Sequence, residues 1–151
     1  MIKKDILKIM GIGTIVLIIL LTFWFSSNPG SVSMGQSDEI LLKLNLISQY
    51  DIDAGTPEYY HWRFLIRKGA HFFIFLILGI GLALVMEEDV EKIILIIIIL
   101  AVFDEVHQSF TGRGARLSDV ILDVAGGFTG WTMVESLRFF FKKSNEKERE
   151  G

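Results

Sequence analysis

The chain has 151 residues, 51% of them hydrophobic, a formal net charge of -3 and no cysteine. That length suits one domain, and the missing thiols exclude disulfides, thiolate catalysis and cysteine-ligated zinc. The small charge, with no basic stripe interleaved by aromatics, argues against nucleic acid, while a mean hydropathy of +0.47 blocked into long runs points to a membrane protein.

The sequence predicts an all-α fold with four transmembrane helices. The first apolar run, residues 6–25, holds only Lys8 as a charge and has about the ~20 residues a crossing needs. Lys3 and Lys4 precede it as in a signal peptide. The run is too long for such a core, however, and "FWFSSNPG" lacks a small-x-small cleavage site, so a retained helix is expected. Residues 26–66 are then a loop. Within it "EILLKLNLI" suits a short helix on the membrane surface, and "PEYYHWRF" suits an aromatic belt at the headgroups.

The second run, 69–86, is interrupted only by His71, and the third begins at Ile93 after the acidic "EEDVEK" turn. The fourth, 117–141, carries Asp119, Asp123, Glu135 and Arg138. These runs make one membrane domain over 1–141, followed by a charged tail, 142–151, expected to be disordered. Lys3, Lys4 and Lys8 at one end and Lys142 and Lys143 at the other put both termini in the cytoplasm by the positive-inside rule. Arg67, Lys68, Arg113 and Arg116 then lie outside, which calls for charge partners or an anionic ligand.

Alternating passage gathers the polar groups at the outer ends of the helices. Ser26 and Ser27 close the first, Arg67, Lys68 and His71 open the second, and Asp104, Glu105, His107 and Gln108 close the third. Asp119 and Asp123 open the fourth. The third run reaches its acids after only ~16 Å of helix, about half of a ~30 Å hydrocarbon core. Ionisable groups at that depth are functional-site candidates.

Spacing indicates which groups meet. Arg67 and Lys68 share a face with His71; Asp104, His107 and Gln108 share another, with Glu105 about 100° round. Asp119, Asp123, Gly126, Gly127 and Gly130 form a stripe whose glycines let a neighbouring helix approach closely. A cavity lined by Arg67, Lys68, His71, Glu105, His107, Arg113 and Asp119 follows. Plainer readings stand beside it: His71 as an interfacial histidine, Ser26 and Ser27 as a helix end, Asp119 as a helix cap. His71, Asp104, His107 and Asp119 have no recognised ligand spacing, so no metal and no cofactor is expected. A Ser-His-acid hydrolase would have to draw Ser26 or Ser27 from another helix.

Three pieces, "FSSNPG", "RKGAHFFIFLILG" and "DEVHQSFTGRGARLSDVILDVAGGFTG", resemble the VanZ-like family of small bacterial membrane proteins, named for an accessory determinant of teicoplanin resistance. The resemblance covers 25–130. Thr111 stands where the family often has proline, and Asp123 where it commonly has asparagine. Membership implies a multi-pass protein of the cell membrane acting at the cell envelope, with reduced susceptibility to teicoplanin-type lipoglycopeptides for some members, but no established chemistry.

Three roles remain open from sequence. In the first, the outward site binds an outer-leaflet headgroup, a lipid-linked wall precursor or the antibiotic through Ser27, Arg67, Lys68, Asp104, Gln108, Arg113, Asp119 and Asp123. In the second, a membrane-embedded hydrolase or transferase uses Glu105 or His71 as base and His107 as acid. In the third, the polar cluster only holds the helices together. The expected partners are the lipid bilayer and one of those ligands, with a second copy of the chain as a further candidate.

Overall fold

The computed structural model describes residues 2–87 and 89–150, with side chains over 4–87 and 89–146. It consists of six helices: α1 (Ile2–Ser27), α2 (Gly30–Lys43), α3 (Gln49–Ala54), α4 (Pro57–Met86), α5 (Val90–Phe110) and α6 (Leu117–Glu150). Three are long and apolar enough to cross a membrane by length and composition: Lys4–Ser27, Pro57–Met86 and Val90–Phe110. The stretch expected to make a fourth crossing, 117–141, lies in α6, which is not one of these three; it carries Asp119, Asp123, Glu135 and Arg138.

The middle of the chain is more ordered than the loop expected over 26–66. The helix expected to start at Gly69 begins at Pro57, with Thr56 accepting a hydrogen bond from the Tyr59 amide and proline in the first turn. The "EILLKLNLI" segment is divided: its first half ends α2 and the rest turns through Leu44 and Asn45 into α3, which a Ser48–Asp51 capping box opens. Leu41, Ile47 and Tyr59 pack there into a small core of their own.

Residues 142–150 are a second departure, because α6 runs on as helix to Glu150. Lysine, glutamate and arginine are good helix formers, and Lys142 and Glu146 stand four apart, so the tail extends an existing helix without a new nucleus. Gly151 and Glu88, the latter in the acidic turn, lie outside the described residues.

α4 is the centre of the bundle, with α6 along one side and α1 along another. Its contact with α6 is a backbone approach that only glycine allows. A Cβ on Gly130 would sit 2.0 Å from the Leu76 carbonyl oxygen, and one on Gly126 would sit 2.3 Å from that of Phe72. From the other helix, a Cβ on Gly79 would meet the Gly127 carbonyl at 2.0 Å. Phe75, Leu78, Leu82, Ile93, Ile97 and Ala101 fill the core between the helices, with Ile18 of α1.

The outer surface is the reverse of a soluble bundle. Ile9, Leu20, Trp24, Phe73, Ile99 and Phe139 are exposed, in apolar faces far larger than water tolerates. At one end of the bundle Glu87 holds Lys4 and Lys8, and Arg138 spans Glu135 and the Ala83 carbonyl. The Lys4 ammonium, as a hydrogen-bond partner, keeps the Glu87 carboxyl below its ordinary 4.5. The other end carries the site.

Candidate functional site

His71 lies 15 residues before Met86 and Asp104 lies 14 after Val90, so the antiparallel pair α4 and α5 puts them at one level, ~21–23 Å from the turn that joins them. α6 runs against α4 at the glycines and brings Asp119 and Asp123 to the same level. The outcome is a polar layer in which Ser26, Asp104, Glu105, Gln108, Asp119 and Asp123 are all buried.

Its contacts are specific. Lys68 pairs with Asp119, and His71 Nδ1 lies 3.2 Å from Asp123 Oδ1 and 3.9 Å from Asp104 Oδ2. Gln108 donates its side-chain amide to Asp104 Oδ2 at 2.6 Å. Glu105 accepts the Arg116 backbone N–H at 2.7 Å through Oε2. Glu105 Oε1 and Asp123 Oδ2 are buried and, among the described residues, have no hydrogen-bond partner. His71, Asp104, Glu105 and Asp123 each offer a ligand atom, all within 4.8 Å of one another.

The loop from Thr111 to Arg116 locks α5, α6 and the end of α1 together. Gly112 and Gly114 take positive φ angles of 75° and 74°, a conformation cheap for glycine, and turn the loop back over the layer. Arg113 then donates to the Phe25 carbonyl at 3.0 Å and the Thr111 hydroxyl to that of Ser26 at 3.1 Å. The Ser26 carbonyl at the end of α1 gains a partner this way, and that of Phe25, which also accepts the Asn28 amide at 3.3 Å, gains a second. Thr111, where the resembled family often has proline, thus has a hydrogen-bonding role here. Burial weakens the hold of the Arg113 guanidinium on its proton, with Arg67 adding repulsion, while Asp104 and Glu105 oppose the shift.

Two cavities meet at Arg67 and His71. One is mainly apolar and runs between α1, α2 and α4, reaching Ser26, Ser37, Asp104, Gln108 and Arg113. The second is cationic, with Arg63, Arg67, Lys68 and Arg116 around Asp119, and Tyr60 and Phe64 at its rim. Arg63 donates to the Tyr59 hydroxyl, while among the described residues Arg67 and Arg116 have no carboxylate within the 4.0 Å of a salt bridge.

Of the residues expected at the site, Arg67, Lys68, His71, Asp104, Glu105, Gln108, Arg113, Asp119 and Asp123 come together. Ser27 does not: it is exposed and donates to the Phe23 carbonyl of its own helix, while Ser26 is the buried serine facing Asp104. His107 stands apart as well. Its ring packs 4.9 Å from that of Phe23 and 6.3 Å from that of Phe103, in a third, apolar cavity that touches the layer only at Ser26 and Asp104. Glu105 takes the inward place beside Asp104 that helical spacing had given to His107. Ser37 and Arg63 were not foreseen. Only the fold of α2 against α4 brings Ser37 in, and Arg63 belonged to a segment read as an interfacial belt.

No curated protein and no solved structure matches the chain. The VanZ/LLP1 family model does match, over residues 12–140, which include α2 to α5, most of α1 and every residue of the polar layer. The chain therefore belongs to the VanZ/LLP1 family.

Proposed function

We propose that this is an envelope membrane protein that crosses the bilayer four times with both ends in the cytoplasm. Its polar layer faces outward and binds the anionic headgroup of an outer-leaflet lipid or lipid-linked wall precursor, lowering susceptibility to teicoplanin-type lipoglycopeptides. The observation that carries this reading is the cationic cavity: Arg67 and Arg116 line it without a salt-bridge partner among the described residues, next to Arg63 and Lys68. Cations left unpaired beside a partly desolvated pocket suit charge-assisted bonds to phosphate or carboxylate. The adjoining apolar cavity would take the start of an acyl or polyprenyl chain.

The test is paired susceptibility in a glycopeptide-sensitive Gram-positive host. Teicoplanin and vancomycin inhibitory concentrations are compared for wild type, Arg67→Ala, Arg113→Ala and Glu105→Gln, with membrane abundance measured alongside. Selective protection from teicoplanin by wild type, lost in Arg67→Ala at equal abundance, is the expected result. No protection by wild type removes the antibiotic role.

A catalytic reading also has an observation of its own, the His71–Asp123 pair beside the unpartnered Glu105 Oε1. Such a pair resembles a base with its orienting acid. Under catalysis, Glu105→Gln abolishes turnover while the headgroup still binds; under binding alone, affinity falls in proportion to charge.

A further inference from the structure

We propose that His71, Asp104, Glu105 and Asp123 bind one divalent transition-metal cation. This goes beyond the headgroup reading and does not depend on it.

Three carboxylates face one another in the interior: Asp104 is 4% exposed, Glu105 3% and Asp123 0%. Among the described residues no lysine or arginine side chain lies within 4.0 Å of any of them, since Lys68 is committed to Asp119 and Arg113 to the Phe25 carbonyl. Burying three such groups with the single His71 imidazole as the nearest basic side chain is costly. Independently of the clustering, two of the oxygens, Glu105 Oε1 and Asp123 Oδ2, have no hydrogen-bond partner among the described residues. A cation between the four side chains would supply positive charge to all three acids and would take up these oxygens once the carboxylates turn toward it.

The geometry suits a small ion. Around a metal with bonds of ~2.1 Å, neighbouring octahedral ligands lie ~3.0 Å apart and opposite ones ~4.2 Å. Ligand atoms within 4.8 Å of one another would draw in by up to about 0.6 Å where they stand opposite (4.8 − 4.2) and by up to about 1.8 Å where they are neighbours (4.8 − 3.0), movements that rotatable side chains can make. Other groups orient the acids, as partners behind metal ligands commonly do: Gln108 holds Asp104 Oδ2 and the Arg116 amide holds Glu105 Oε2. One imidazole nitrogen with carboxylate oxygens favours manganese, iron or zinc over calcium, which takes six to eight oxygens.

The experiment uses the purified full-length chain in lipid nanodiscs, stripped with chelator and titrated with Mn2+. Free ion is followed by its paramagnetic resonance signal, and Zn2+ serves as competitor. One Mn2+ per chain is expected, displaced by Zn2+, weakened as pH falls and raising the thermal midpoint. Asp123→Asn and Glu105→Gln should each weaken binding by about tenfold or more, while Glu91→Gln, on α5 but outside the cluster, should not. Circular dichroism checks that the variants are helical. Should a variant fail to fold, the wild-type stoichiometry and thermal shift still decide. No bound Mn2+ or Zn2+ at millimolar concentration, or equal binding in the folded cluster variants, overturns the proposal.

Discussion

Gly126 and Gly130 fix how closely α6 approaches α4, so alanine at either position tests both the packing and its link to the site. Cβ contacts under 3.0 Å essentially never occur, and the alanine methyls would start 2.3 Å and 2.0 Å from carbonyl oxygens of α4. The helices must therefore part by at least 0.7 Å for Gly126→Ala (3.0 − 2.3) and 1.0 Å for Gly130→Ala (3.0 − 2.0). Backbone cannot rotate aside as a side chain can, so the cost falls in the overpacking range of about 1–3 kcal/mol. That is a ~5- to 150-fold loss in the folded-to-unfolded ratio. Gly126 is also one turn from Asp123. Adding its 0.7 Å to the 3.2 Å His71–Asp123 separation gives 3.9 Å, beyond the 3.5 Å hydrogen-bond limit.

Unfolding by denaturing detergent, titrated into native micelles, measures the stability, with Gly69→Ala as the control. A Cβ at Gly69 meets nothing within 4 Å, so that change should be neutral or stabilise by up to ~1 kcal/mol through helix propensity. Gly130→Ala should be the least stable of the three. Gly126→Ala should also shift the His71 imidazole resonances. If both unfold with Gly69→Ala, the close approach is not what holds α4 and α6.

Two further outcomes follow from local geometry. Ser26→Ala should cost ~0.5–1.5 kcal/mol, because a buried hydroxyl leaves the Asp104 carbonyl, whereas Ser27→Ala should stay within ~0.5 kcal/mol; equal effects would contradict their opposite orientations. In α3 the Ser48 hydroxyl, then the Ser48 amide, hold the Asp51 carboxyl below its ordinary 3.8. A depressed acid stabilises above its unfolded value and loses that contribution as pH falls through its folded one. Protection of α3 amides, corrected for intrinsic exchange, should therefore be constant from neutral pH down to about 4 and fall below it, by less in Ser48→Ala, which keeps the Ser48 amide but loses the hydroxyl. An equal fall in both would rule out the Ser48 hydroxyl as its main cause.

The sequence by itself determined the long helices, because runs of apolar residues leave few alternatives for a backbone that must pair its own polar groups. It also showed that Asp104 and Glu105 come too early in α5 to be a solvated end, and that glycines four apart on α6 would let a partner close in. Each of these is local, a matter of composition or of the 3.6-residue repeat. What the repeat does not carry is the rotation of each helix about its own axis. Tertiary packing set that rotation, sending Ser26 inward and Ser27 outward, and choosing Glu105 over His107 to join Asp104. It also built α2 and α3 in the segment read as a loop, where Leu41, Ile47 and Tyr59 from three separate stretches make one small core. The four-residue cluster is a product of the same step: its ligands come from α4, α5 and α6 and have no spacing in sequence, and they meet because α6 can lie against the bare backbone of α4.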